Sequence, residues 1–218
     1  MVRSTKLNFG RMPIKWKIIS FFTEGTPYKN LKDPFVNASR SVGVDPRVYT
    51  MPDKGNWIIN THQKLLVIQQ ALKDYPQTDI VWTDIDSRVV RYPSLFDDYS
   101  QSREFDACFL YAPHKNRKPT LTNGTMWFAN NVASRLFIDE CIERNTQNLD
   151  KPDQPNMAEV LRESVKNNKL LAGKIPWAKC CIFDREPSKS PCIIHYQASR
   201  RFKKIVNKNG KTKDNTQS

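Results

Sequence analysis

The sequence predicts an α/β fold, with a mostly parallel central sheet flanked by helices. Two patterns and a composition predict it. Short apolar runs of strand length alternate with longer stretches of helical periodicity, the order that builds parallel sheets through crossover helices. The clearest helical stretch, 58–75, lies between two such runs. The 218 residues are 39% hydrophobic and 26% charged, the composition of one globular domain that can bury a core without disulfides or metal. Seven glycines and no sustained heptads exclude collagen-like and coiled-coil chains.

Residues 1–13 are expected to form an irregular leader, 14–206 a single domain and 207–218 a basic, disordered tail. Trp16-Lys17-Ile18-Ile19-Ser20-Phe21-Phe22 reads as a first buried strand. A loop punctuated by Gly25 and Pro27 follows, then a helix to about Ser41 and a short strand from Pro46 to Tyr49. In the helix Ile58 to Tyr75, Leu65, Leu66, Ile68, Ala71 and Leu72 gather on one face, and Pro76 stops it. Asp79-Ile80-Val81-Trp82 is the next strand and ends abruptly at Thr83-Asp84-Ile85-Asp86. Phe105 to Tyr111, Thr125 to Phe128 and Cys192 to Tyr196 read as strands, and Asn131 to Arg144 and Gln154 to Lys166 as helices. Ligands of open sheets bind beyond the carboxyl ends of the strands. The loops after Phe22, Trp82 and Phe128 are therefore where chemistry is expected.

Thirty-five Lys and Arg against 22 Asp and Glu give a net charge of +13. Charge of this size suits nucleic acid, an anionic membrane or phosphorylated small molecules. Much of it is local: residues 199–218 carry seven basic residues and one acid. No apolar run approaches the ~20 residues of a membrane span. No apolar segment of a secretory signal is present near the N-terminus. Five cysteines, an odd number without a framework spacing, point to a reducing, cytoplasmic compartment.

The most informative segment is Asp79-Ile-Val-Trp-Thr-Asp84-Ile-Asp86-Ser87-Arg88. On an extended chain residues i and i+2 face the same side, so Asp84 and Asp86 are expected to converge. Two carboxylates so close repel, and a divalent cation with a preference for oxygen, Mg²⁺ or Mn²⁺, removes the conflict. The plain alternative is a turn, in which Asp is common.

This run resembles the Asp-x-Asp motif that GT-A-type nucleotide-sugar glycosyltransferases carry at the end of a central strand. Thr23-Glu24-Gly25-Thr26-Pro27-Tyr28 is similar to the nucleotide-contacting first loop of that family. Thr122-Asn123-Gly124-Thr125-Met126-Trp127-Phe128 looks like its small-residue strand beside the donor sugar, Asp153-Gln154 like its Asp-Gln step, and His195 like the C-terminal His of its metal site. The likeness runs from about Trp16 to Lys204 in the expected order. One departure is the text after His195, Tyr-Gln-Ala-Ser-Arg-Arg, which lacks the Gly and the Lys-Pro step common there.

The resemblance implies a GT-A, Rossmann-like fold. It also implies an Mn²⁺- or Mg²⁺-dependent transfer, of hexosyltransferase type, from a nucleotide-diphosphate sugar to an acceptor hydroxyl. A UDP-sugar is favoured as donor and a glycan as acceptor. Asp86 and His195 would hold the cation, with Asp84 on the ribose or on the metal through water. Tyr28 would stack on the base and Thr23 contact the nucleotide, while Asn123 and Gly124 lie beside the donor. Asp153 would bind sugar hydroxyls or act on the acceptor, its plain alternative being a helix N-cap. Lys64, on the helix after Gly55-Asn56-Trp57, would reach sugar or phosphate unless it is a solvated helix residue; Trp57 reads as packing. Arg200, Arg201 and Lys203 would meet phosphate, or belong to a tail that also permits peripheral membrane contact. A zinc site from Cys180, Cys181, Cys192 and His195 ranks well below, because adjacent cysteines lack the usual spacer. The rival functions are a basic nucleic-acid-binding protein and a metal-dependent nuclease using Asp84 and Asp86, with Asp97, Glu104 and Asp106 available as further acids.

Overall fold

Nine strands and six α-helices make up the computed structural model, which describes residues 16–185 and 190–214, the side chains of 209–214 excepted. The expected leader at 1–13 and the end of the tail at 215–218 lie outside the described residues. In chain order the elements are β1 (Trp16–Thr23), a 3-10 turn (Pro27–Leu31), α1 (Lys32–Ser41), β2 (Arg47–Met51), α2 (Trp57–Asp74), β3 (Asp79–Thr83), β4 (Ser87–Val89) and α3 (Leu95–Ser102). Then come β5 (Ala107–His114), β6 (Arg117–Phe128), α4 (Val132–Gln147), α5 (Asp153–Lys166), β7 (Ala172–Ile175), β8 (Cys180–Ile182), β9 (Ile193–His195) and α6 (Ser199–Asp214).

Six strands form the central sheet in the order β2-β1-β3-β6-β5-β7, with β6 alone running against the others. The reversal of β6 follows from its tight hairpin to β5, where His114 sits opposite Arg117. A second sheet, β4-β9-β8, joins the turn after β3 to the late part of the chain.

Both faces of β3 are covered, and all five of its residues are buried. Ile80 and Trp82 point into a cluster with Leu65, Ile68 and Leu72 of α2, Phe137 of α4 and Met157 of α5. Val81 points into the opposite cluster with Ile18, Phe35, Phe96 and Trp127. Burial on both faces explains why β3 reads as a continuous apolar run. Asp79 is buried at its start because Arg103 Nη1 (2.8 Å) and the Asn130 amide (3.0 Å) donate to it. The Asn56 side chain accepts from Ile58 N and caps α2, the helix whose first turns face the site.

Several expectations need adjustment. β6 begins at Arg117 rather than Thr125, because β5 extends it as a hairpin. The helix expected up to Ser41 starts as a 3-10 turn. The segment expected as a tail from Asn207 continues α6 as helix to Asp214. Asn207 Oδ1 accepts from the Trp57 amide at 2.8 Å and Val206 is buried, which anchors that helix. Among the described residues no helix is long and apolar enough to cross a membrane.

Candidate active site

The two aspartates converge through a turn rather than an extended chain. Ser87 N donates to Asp84 O at 3.0 Å, which closes a four-residue turn between β3 and β4. Asp84 N donates to Gly124 O at 2.9 Å, and Ile85 is buried in the core, so the turn is held from both sides. β4 then pairs with β9, with Ser87 opposite His195. This short pairing delivers a histidine from the far end of the chain to the turn. One ligand atom each of Asp84, Asp86 and His195 lies within 4.8 Å of the others.

The two buried side chains of the group, Asp86 and His195, are each held by one atom and have another without a partner. Asp86 Oδ2 accepts from the Ala198 amide at 2.6 Å, while buried Oδ1 has no hydrogen-bond partner. The Ala198 amide is aimed by Gln197, whose φ of 55° lies in the left-handed region. Burial, then the charge of Asp84, push the Asp86 carboxyl up to about 6. His195 Nε2 is hydrogen-bonded to Thr125 Oγ1 at 2.7 Å, while buried Nδ1 has no partner. Burial pushes the imidazole down to about 4, against the pull of Asp84, so the ring is neutral at pH 7. Thr125 is within 3.5 Å of Thr83 Oγ1, which bonds Ser87 Oγ at 2.9 Å. Gly124 leaves room for the ring: a Cβ there would sit 3.0 Å from His195 Cε1 and 3.1 Å from Nδ1. Two carboxylates plus a neutral imidazole, with an orphaned oxygen and an orphaned nitrogen, form a donor set that fits Mn²⁺ or Mg²⁺.

A buried lysine balances the remaining charge. Lys64 Nζ lies 3.1 Å from Asp84 Oδ1, 3.3 Å from Asp153 Oδ2 and 3.1 Å from the Asn123 carbonyl. Burial opposes its charge, but the two carboxylates outweigh burial and its pKa rises. Lys64 is thus no solvated helix residue. Trp82 Nε1 also donates to Asp84 Oδ1, at 3.1 Å. Asp153 accepts from Asn123 Nδ2 at 2.5 Å. The plain alternative of a helix N-cap does not hold: Pro152 takes that position, and the Asp153 carboxylate faces Lys64 and Asn123.

These groups open into a cavity of about 490 Å³. Thr23, Tyr28 and Trp57 line it on the β1 side. Tyr28 accepts from Trp57 Nε1 at 3.3 Å and packs edge-on against Phe202 at 5.2 Å, and burial pushes its phenol up. Trp57, read as a packing residue, is part of the wall, with Lys203 Nζ 4.6 Å over its ring. Arg200, Arg201 and Lys203 do not line the cavity. Arg200 is ion-paired with Asp184, and Arg201 lies over the Phe202 ring at 5.4 Å. The arginines that do line it are Arg117 and Arg185, which nothing in the sequence marked out from the other basic residues.

The further acids and the cysteines weighed for rival sites lie outside the Asp84–Asp86–His195 group. Asp97 accepts from Trp16 and Tyr92, and Asp106 from Asn131 Nδ2 and the Leu171 amide, so neither joins the pair. Among the described residues the group of three or more able to hold a metal is Asp84, Asp86 and His195; it contains no cysteine. Cys180, Cys181 and Cys192 are buried and unbridged.

Comparison with solved structures gives the same architecture. A glycosyltransferase involved in the glycosylation of the major capsid of PBCV-1 aligns with a TM-score of 0.65 over 90% of this chain and 98% of that one, at 16% identity. The glycosyltransferase GlyE of Streptococcus pneumoniae TIGR4 aligns with a TM-score of 0.53 over 90% of this chain and 61% of that one, at 12% identity. Mouse xyloside xylosyltransferase 1 aligns at 0.51 over 86% and 99%, at 10% identity. No family model and no curated protein matches the chain. The fold is the GT-A-like fold of glycosyltransferases that the Asp-x-Asp run led us to expect.

Proposed function

We propose that this protein is a divalent-metal-dependent glycosyltransferase. It transfers a sugar, of hexosyl type, from a nucleotide-diphosphate sugar, UDP-linked by preference, to a hydroxyl of a glycan. The observation that carries the reading is the convergence of Asp84, Asp86 and His195 at one end of the sheet, with Asp86 Oδ1 and His195 Nδ1 buried and unpartnered. A fold shared with glycosyltransferases supports it.

In this reading Asp86 and His195 hold Mn²⁺ or Mg²⁺ directly, and Asp84 completes the set. A bound cation supplies neutralisation of the diphosphate charge that grows as the glycosidic bond breaks. The chain does the rest. Thr125 fixes the imidazole through Nε2 so that Nδ1 stays available, and Gly124 leaves the ring its space. Lys64 holds the Asp84 and Asp153 carboxylates in place. Thr23, Tyr28 and Trp57 receive the nucleoside, and Asn123, Gly124 and Asp153 face the donor sugar. Five unbridged cysteines support a reducing compartment such as the cytoplasm.

Thermal shift tests the reading. UDP- or GDP-sugars with Mn²⁺ are expected to raise the melting temperature, and neither sugar does so in chelator. Stabilisation by a short DNA duplex alone would overturn it. A donor screen with product detection then names base and sugar.

A further inference from the structure

Past their pairing with β3 and β7, β5 and β6 continue as a two-stranded arm, anchored at its base by buried Ala112 and Leu121. β6 pairs with β3 only over Thr125–Phe128, and β5 pairs with β7 only over Ala107–Leu110. From residue 111 to 122 the two strands pair only with each other. The first four residues of β6 are exposed, and its last four are buried. The arm carries His114, Lys115, Arg117 and Lys118, and the sequence holds no Asp or Glu between Asp106 and Asp139. Among the described residues none of Lys115, Arg117, Lys118 and Arg185 is in an ion pair. Lysines on a ribbon edge ordinarily guard against edge-to-edge pairing. That role does not require a cation turned toward the cavity, yet Arg117 and its cross-strand partner His114 both line it, as does Arg185 after β8.

Topology says which end of the substrate meets this arm. The order β1-β3-β6-β5 sets Thr23 on β1 and His114 on β5 three strand spacings apart, about 14 Å. The metal-holding turn follows β3, between them. A nucleotide-sugar is linear, with nucleoside, diphosphate and sugar in that order. With the nucleoside at Thr23 and Tyr28 and the diphosphate at the Asp84–Asp86 turn, the sugar lies at Asn123 and Asp153. The acceptor then approaches along the arm. Lys64 is already matched by Asp84 and Asp153, whereas among the described residues Arg117 is in no ion pair and Arg185 feels only the nearby charge of Asp184.

Resting on the proposed transferase reading, we infer that the acceptor is anionic: a glycan carrying carboxylate or phosphate groups, gripped by Arg117 and Arg185 with His114 and Lys115 beside them. The test measures binding of three length-matched probes in the presence of UDP and Mn²⁺: neutral maltotetraose, maltotetraose 6-phosphate and tetragalacturonate. At least one anionic probe is expected to bind about tenfold tighter than the neutral one, the sum of a few exposed ion pairs. R117A/R185A is expected to erase that difference. Which anionic probe gains tells phosphate from carboxylate. The UDP-plus-Mn²⁺ melting shift of the same variant verifies its fold and its donor end. Equal binding of neutral and anionic probes, no binding of any, or a preference that survives R117A/R185A overturns the inference. Absence of the UDP-plus-Mn²⁺ shift in the wild type defeats the transferase reading instead, so the two failures are separable.

Discussion

Replacing Asp86 by Asn should make the metal-free protein more stable while abolishing its response to metal. Asp86 is 8% exposed, and its carboxyl is held up at about 6, against 3.8 for a free one. A folded-state pKa above the unfolded one means that ionised Asp86 opposes folding. The cost is fully present above pH 6 and fades as pH falls from 6 toward 3.8. Roughly two pH units correspond to about 3 kcal/mol at pH 7. Asparagine keeps a carbonyl for the Ala198 amide and removes the charge. At 2–4 °C per kcal/mol for a domain of this size, metal-free D86N should melt up to ~10 °C above metal-free wild type. Wild type should gain a similar margin with Mn²⁺ at about a hundredfold excess over its dissociation constant, where mass action gives about 2.7 kcal/mol. D86N should gain nothing. Melting curves at pH 7 with EDTA or Mn²⁺ decide it. D86N melting at or below wild type in EDTA, or a retained Mn²⁺ shift, would refute the reasoning.

Four further outcomes are expected. The pH profile of D86N should expose His195, whose pKa falls from 6.5 to about 4 on folding. A depressed histidine loses stability as pH drops from 6.5 to 4, so D86N should destabilise steeply across that window, whereas Asp86 offsets most of this in wild type. T125V should lower Mn²⁺ affinity about 10–100-fold by calorimetry, as loss of a partner to a ligating histidine does, with T125S restoring it. K64M leaves the buried Asp153 without its cation and should cost about 3 kcal/mol in denaturant unfolding. R200A should leave the UDP-plus-Mn²⁺ shift intact, because its guanidinium is spent on Asp184; a lost shift would return Arg200 to the phosphate site.

The longest and the fully buried elements were legible in the sequence, as was the three-residue β9, whereas α3, β4, β7 and β8 were not. β1, α2 and β3 announce themselves because burial on one stripe or on both faces leaves a pattern over five residues or more. β4, β7 and β8 are too short for a period to show, and their pairing partners are distant. The helical form of α6 was hidden for another reason. Its buried contacts are few, chiefly Phe202 and Val206, and basic residues fill the rest, so it read as a tail. β4 nevertheless decides the site, since its pairing with β9 carries His195 to Asp86.

The site residues divide the same way. Asp84, Asp86 and His195 were legible as types in a known order, but their meeting depends on a turn and a three-residue ladder that no pattern encodes. The missing glycine after His195 has a structural counterpart. Gln197 takes the left-handed conformation that glycine adopts without strain, and the next amide reaches Asp86. A strained residue, an orphaned carboxylate oxygen and an orphaned ring nitrogen each cost stability, and all three lie at one point. Core packing gains nothing from that coincidence. A cation would gain from the two unpartnered atoms, which belong to residues whose ligand atoms lie within 4.8 Å of one another.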